Sequence, residues 1–309
     1  MGYKWKVILA FAAIYIIWGS TYLAIIFAIK DIPPMLMSGM RFLLAGILLY
    51  GWCVIKIERQ PDISSLGKNA FCGILMLVGG TGSLAWAEQY ISSGLAAIIV
   101  TSVPFWFILL DKKQWSFYFS SKTILPGLLI GFAGVALLMY FGKSSPAASA
   151  SPSQQLAGML VLVAGGIAWT MGSLYSKYKP ASTSVTMNTS VQLMMAGIFS
   201  SMVSFVSGEA KGFSFSQMHA DSLLALLYLI SLGSLVTYLC YIWLLQVRPT
   251  AQVSTYVYIN PVVAIILGAI IGKESITWLH ILSLSIILCG VLLVNLPKYN
   301  ISNKQLSVS

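Results

Sequence analysis

Charge is what this chain has least of. Asp, Glu, Lys and Arg make up 8% of its 309 residues, against roughly 25% in soluble domains. A water-soluble enzyme of this size would need far more charge to cover its surface. The 8 acids and 2 histidines are scattered, with no H-E-x-x-H and no carboxylate cluster, which argues against metal-dependent chemistry. No G-x-x-x-x-G-K-[ST] is present, so the chain has no P-loop for ATP phosphates, and no G-x-S-x-G offers a nucleophile elbow. The four cysteines (Cys53, Cys72, Cys240, Cys289) fall in apolar runs without paired spacing. They read as small apolar fillers and not as disulfides or metal ligands. The net charge of +10 is spread between apolar runs with no basic arm, which excludes nucleic acid as the natural partner.

What is abundant is hydrocarbon: 58% of residues are hydrophobic. A spanning helix takes about 20 apolar residues, and ten such runs can be placed, near 7–29, 34–55, 69–90, 93–110, 124–142, 156–176, 183–207, 222–245, 249–271 and 276–296. The first run is too long for a signal-peptide core and reads as a retained helix. In the fourth, Asp111, Lys112 and Lys113 interrupt a run that resumes at Trp115 and Phe117. With ten spans, the termini and every second loop carry 13 of the 18 Lys and Arg, and the other loops carry 4. That bias predicts both termini in the cytoplasm of a cell that holds the chain in its inner membrane.

A Ser/Ala/Pro-rich linker, 143–155, divides a first half, 1–142, from a second, 156–296, followed by a cytoplasmic tail, 297–309. The halves echo one another. Trp18-Gly19-Ser20-Thr21-Tyr22 parallels the stretch from Trp169 to Tyr175, and Ala45-Gly46 parallels Ala196-Gly197 at the same offset of 151. Pro104 matches Pro261 at 157, and Gly134-Val135 matches Gly290-Val291 at 156. An odd number of spans per half turns the second upside down. The fold expected is therefore an all-α polytopic membrane protein of ten transmembrane helices in two inverted five-helix repeats, an arrangement suited to alternating access.

Four stretches carry a family likeness: WGSTY in the first span, PPMLMSGMRFLLAG in the second, AEQYISSGLAAIIVTSVPFW across the third and fourth, and NPVVAIILGAIIGKES in and after the ninth. They resemble EamA-type permeases of the drug/metabolite transporter superfamily over nearly the whole chain. The resemblance implies a ten-helix inner-membrane carrier, usually an exporter of amino acids, metabolites or drugs, with a cavity shared by the halves. Many members have an acid after the first-half proline where Glu274 stands in the second half, but this chain has Phe117.

Several residues are candidates for substrate binding or coupling. Arg41 lies about 10 Å into the second span at 1.5 Å per residue, and Glu88 lies near the same end of the third. A charge in hydrocarbon faces the bundle interior unless paired. The two either bind a substrate's carboxylate and amine, with Glu88 open to a proton-coupling role, or pair structurally; Glu88 alone could also reach solvent. Gln252, Tyr256 and Asn260 recur every four residues and share a helix face, either lining a cavity or bridging to another helix. Asn188 and Gln192 form a shorter stripe, with Gln192 opposite Arg41 at offset 151. Trp18 and Tyr22 share a face with Tyr15, where packing is the default for Tyr15. Pro104 and Pro261 each remove a backbone hydrogen bond, at Val100 and Val257, marking either a gating break or a plain kink. His219 and His280 read as surface residues.

The expected function is a secondary active transporter that exports small amphipathic metabolites, amino acids or drugs. The alternatives are an intramembrane enzyme and a non-transporting assembly subunit. No catalytic residue, metal or cofactor is expected; the partners are a small-molecule substrate, membrane lipid and a coupled proton or counter-solute. The pairs Gly127/Gly131 and Gly268/Gly272 allow close helix contact, within the chain or in a homodimer.

Overall fold

A computed structural model describes residues 2–87, 90–91, 93–141, 151–272 and 278–297, apart from the side chains at positions 22, 85, 93, 94, 141, 264, 265, 268, 269, 271 and 272. Helix is the only regular structure among the described residues, as expected where the backbone must satisfy its own polar groups in lipid. The first helices are α1 (Tyr3–Ala28), α2 (Pro34–Ile55) and α3 (63–87). Next come α4 (Ser93–Val100), α5 (Val103–Leu110), the short α6 (Trp115–Ser120) and α7 (Ile124–Phe141). Beyond the linker lie α8 (Pro152–Tyr178), α9 (Val185–Val206), α10 (220–247), α11 (Thr250–Val253), α12 (Tyr256–Gly272) and α13 (Trp278–Asn295).

Among the described residues, seven helices are long and apolar enough to cross a membrane, and eight if the pair Leu95–Leu110 and Lys112–Ser120, bent by 70°, counts as one span. Leu48, Leu129, Leu224 and Leu292 all point outward and are exposed. Apolar side chains on the outside as well as within are the mark of a helix bundle solvated by lipid. The protein is an all-α polytopic membrane protein.

Several elements depart from the expected runs. α8 begins at Pro152, inside the stretch read as linker, because Ser151 and Gln154 cap each other's backbone N–H and Pro152 suits a first helical turn. α3 begins at Ile63, where Asp62 accepts from the Ser65 N–H at 2.8 Å. The fourth run breaks at Thr101–Ser102, next to Pro104. The ninth breaks at Ser254–Thr255 and not at Pro261, which stays inside α12. There the Ser254 and Thr255 hydroxyls donate to the Ala251 and Gln252 carbonyls, a local competition with the helical ladder that the proline did not win. α3 and α10 share an irregularity that apolar periodicity could not show: each contains a π-helical stretch, Ile74–Gly82 and Leu229–Val236.

α2 lies along α9 over much of its length, and α7 along α13. Both contacts are made by glycines and are reciprocal. A Cβ on Gly46 would strike Met194, and one on Gly197 would strike Leu43. A Cβ on Gly134 would strike Ile287, and one on Gly290 would strike Gly131. In each pair the residues that meet are exchanged by the offset, 151 or 156, found in the sequence. Gly127 also faces Gly290, so the Gly127/Gly131 pair is occupied within the chain.

Candidate functional site

A cavity of about 150 Å³ opens in the bundle between α1, α2, α3, α8, α10 and α12. Its walls are apolar or aromatic except for a few groups, which makes those groups informative. Arg41 is 6% exposed and lines it. The Arg41 Nε donates to Ser234 Oγ at 3.1 Å, and its guanidinium carbon stands 4.5 Å from the centre of the Phe42 ring. One of five N–H groups is thereby used. Among the described residues no carboxylate forms an ion pair with Arg41. Glu88 lies outside the described residues, as does the side chain of Tyr22.

Asn260 lines the same cavity, and its Oδ1 is buried without a hydrogen-bond partner among the described residues. An unmet acceptor in such surroundings costs about 1–3 kcal/mol, which a donor on a bound solute would offset. Trp18, Trp169 and Tyr256 line the same cavity and belong to an aromatic cluster. Trp18 is packed by Tyr256 at 4.7 Å, Tyr241 at 5.2 Å and Trp169 at 5.9 Å between ring centres. Its indole N–H donates to the Gly233 carbonyl at 3.1 Å, and that of Trp169 to the Tyr241 hydroxyl at 2.8 Å. Both rings are thus held edge-on by polar anchors. The π-helical stretches supply the small residues that make room: Gly80 sits against Trp169, and Gly233 against Thr21. A π-bulge at a functional site is a recurrent arrangement.

Of the residues singled out in the sequence, then, Arg41, Trp18, Tyr256 and Asn260 meet at one cavity. The others do not. Gln252 donates to the carbonyls of Val294 and Pro297 at 3.4 and 3.2 Å, bridging to the end of α13. Asn188 and Gln192 belong to an amide ladder at the other end of the bundle. Thr183 and Asn69 donate to Asn188 Oδ1 at 2.6 and 2.9 Å, Gln192 Nε2 donates to Asn69 Oδ1 at 3.0 Å, and Tyr238 donates to Gln192 Oε1 at 2.8 Å. Pro104 is buried beside the break between α4 and α5, next to the cavity residues Val100 and Val103. Tyr15 packs as expected, its hydroxyl 2.6 Å from Thr255 Oγ1.

Sequence reading missed Ser234, Tyr238 and Tyr241, which carried no motif. It also took Asp111 as a mere interruption. Asp111 is buried and accepts from the hydroxyls of Tyr178 at 2.5 Å, Thr250 at 2.7 Å and Tyr118 at 2.9 Å. Lys177 nearby donates to the Arg248 carbonyl at 2.5 Å. This hub ties the ends of α5, α6, α8, α10 and α11 together. At the opposite end the rim is lighter. His219 Nδ1 lies 3.0 Å from Asp31, and Glu209 accepts from the Met35 N–H at the start of α2. The Ser222 hydroxyl, then the His219 backbone and ring, hold the Asp31 carboxyl well below its ordinary range, at about 2.

The sequence model of the EamA-like transporter family matches residues 4–152 and again 156–296. The chain belongs to the EamA-like transporter family. This EamA-like transporter is 33% identical over 94% of its length, and 90% of the relative's, to "Uncharacterized inner membrane transporter YedA" of Escherichia coli K12. It is 26% identical to "Uncharacterized transporter YoaV" of Bacillus subtilis, over 93% of this chain and 95% of that one. "Protein PagO" of Salmonella typhimurium is 24% identical over 95% of both chains. A crystal structure 16% identical in sequence superposes with a TM-score of 0.76, covering 96% of this chain and 98% of that chain, which establishes the likeness of fold. Membership in the family makes the protein an integral membrane transporter of small molecules.

Proposed function

We propose that this EamA-like transporter is a secondary carrier, not an enzyme, that exports small amphipathic solutes across the inner membrane by alternating access. In this reading ten transmembrane helices form two inverted five-helix repeats, 1–142 and 156–296, with both termini cytoplasmic. The reciprocal glycine contacts support the repeat, since exchange of partners at a constant offset is what a twofold axis produces. Trp18 and Trp169, equivalent at offset 151, touch each other, as equivalent residues do beside such an axis. The Lys/Arg bias of the loops supports the orientation.

One observation carries the function: a buried guanidinium, an amide oxygen unmet among the described residues and aromatic rings line one apolar cavity. A cation with N–H groups to spare suits a carboxylate, Asn260 Oδ1 suits a donor, and the rings suit an apolar body. Counterflow tests it. In proteoliposomes preloaded with an unlabelled neutral amino acid or amphipathic amine, uptake of the labelled solute should accelerate; no acceleration with any solute overturns the reading. Glu88 is assigned the coupling role in this reading, so Glu88→Gln should lose the response of transport to an imposed pH gradient, and an unchanged response removes that assignment.

A further inference from the structure

The amide ladder has no part in the cavity described above, yet it lines a second one. That cavity, about 200 Å³, is bounded by Lys68, Asn69, Cys72, Asn188, Gln192 and Gln246 among others. The order of lining residues along three helices shows how the two cavities relate. On α3, residues 68, 69 and 72 face the second cavity, and 77, 80, 81 and 84 face the first. On α8, residue 176 faces the second, and 162, 165, 166 and 169 the first. On α10, residues 242 and 246 face the second, and 233, 234 and 238 the first. The cavities are therefore stacked along the bundle. Only the stretch between Cys72 and Leu77 parts them on α3.

Named side chains link the two cavities across the layer between them. Tyr238, 1% exposed, lines the first cavity and donates to Gln192, which lines the second. Tyr241 stacks on Tyr238 with ring centres 6.3 Å apart, and its hydroxyl lies 2.7 Å from Ser173 Oγ. Ser173 reaches Met76 Sδ at 3.3 Å. α3 is packed tightly here on α9 and α8, at Gly73 and Gly172, whereas Tyr238 and Tyr241 of α10 are fastened by side-chain hydrogen bonds, so rotation of those rings, with slight movement of α10, would open the layer.

We propose that the second cavity is the opposite vestibule of the transport path, and that Tyr238, latched to Gln192, is the gate between it and the substrate cavity. The proposal rests on the carrier reading but names what that reading leaves open. The polar ladder receives the solute's charged groups after passage; Lys68 at its mouth suits a carboxylate.

Cys72 makes the proposal testable without any substrate. With Cys53, Cys240 and Cys289 replaced by Ser in the full chain, Cys72 should react with a membrane-impermeant thiosulfonate from the face that carries Lys68 and Lys179. From the other face it should be protected. Tyr238→Ala, which removes the gate, should raise the rate from the protected face by about tenfold or more, because that rate scales with the fraction of molecules in which the layer is open. Gln192→Leu, which removes only the latch, should raise it less. Gln246→Cys in place of Cys72 supplies a second probe in the same vestibule. Equal labelling from both faces in the parent, labelling of neither probe, or continued protection in both variants overturns the gate. A missing counterflow signal with this labelling pattern intact would overturn the carrier reading and leave the gate standing.

Discussion

Arg41 and Gln192 stand 151 residues apart in the two halves, and the structure gives them different surroundings. Each lies on the long helix of a glycine-packed pair, α2 or α9, and each reaches toward α10. Arg41 bonds to Ser234 and, among the described residues, leaves its other guanidinium N–H groups at an apolar cavity. Gln192 has its amide taken up by Asn69 and Tyr238. The two halves share the backbone contact, where any Cβ would collide, while the chemistry borne on it differs. Packing penalises any Cβ at Gly46 or Gly197; a side chain pointing into a cavity is free of that constraint.

The strongest way to break this comparison is to exchange the chemistry. Arg41→Leu should weaken solute binding by about 30-fold or more, since losing a buried charged partner costs 2 kcal/mol or above, whereas Gln192→Leu should leave affinity close to the parent's. Equilibrium binding or counterflow affinity measures both, and comparable losses would erase the distinction between site and scaffold. The shared packing is tested next. Gly46→Ala and Gly197→Ala should each destabilise by about 1–3 kcal/mol through overpacking, visible as matched falls in the melting temperature in detergent. A fall in only one would deny their equivalence.

A smaller effect sharpens the role of the ladder. Gln192→Leu should lower stability by about 1 kcal/mol, the scale of interhelical hydrogen bonds in membrane proteins, and Tyr238→Phe should overlap with it in a double-mutant cycle. Additive losses would mean the 2.8 Å bond contributes nothing. The least effect belongs to the rim. Because the Asp31 carboxyl sits at about 2 in the folded state, below its ordinary value near 3.9, its contribution is present above that ordinary value and is lost as pH falls toward 2. The stability difference between the parent and Asp31→Asn should be slight at neutral pH and vanish near pH 2. A difference that grows on acidification would contradict the geometry.

Much of the bundle was legible in the residues. The apolar runs located every long helix, and the offsets of 151 and 156 named glycines that turn out to touch across the halves. At the site, Arg41 stood out because a charge in hydrocarbon is costly wherever it points, and Trp18 because it lies mid-span. The stripe of Gln252, Tyr256 and Asn260 was legible as a face, but a face does not say what it meets. Two of the three line the cavity and the third bridges to α13. Asn188 and Gln192 showed the same ambiguity. Ser234, Tyr238 and Asp111 were invisible because their importance comes from partners 139 to 193 residues or a whole helix away.

By itself the sequence determined that the chain lives in lipid, where its helices run, and that the two halves share a pattern. Those properties follow from composition and period, which act residue by residue through transfer from water and through the backbone's need to bond to itself. Only the tertiary structure decided which polar groups meet a cavity and which meet each other. It also decided that the breaks fall at Thr101 and Ser254, and that π-helical turns in α3 and α10 make room for Trp169 and Thr21. Each of these is settled by competition among neighbours distant in the chain, and no local pattern records the outcome.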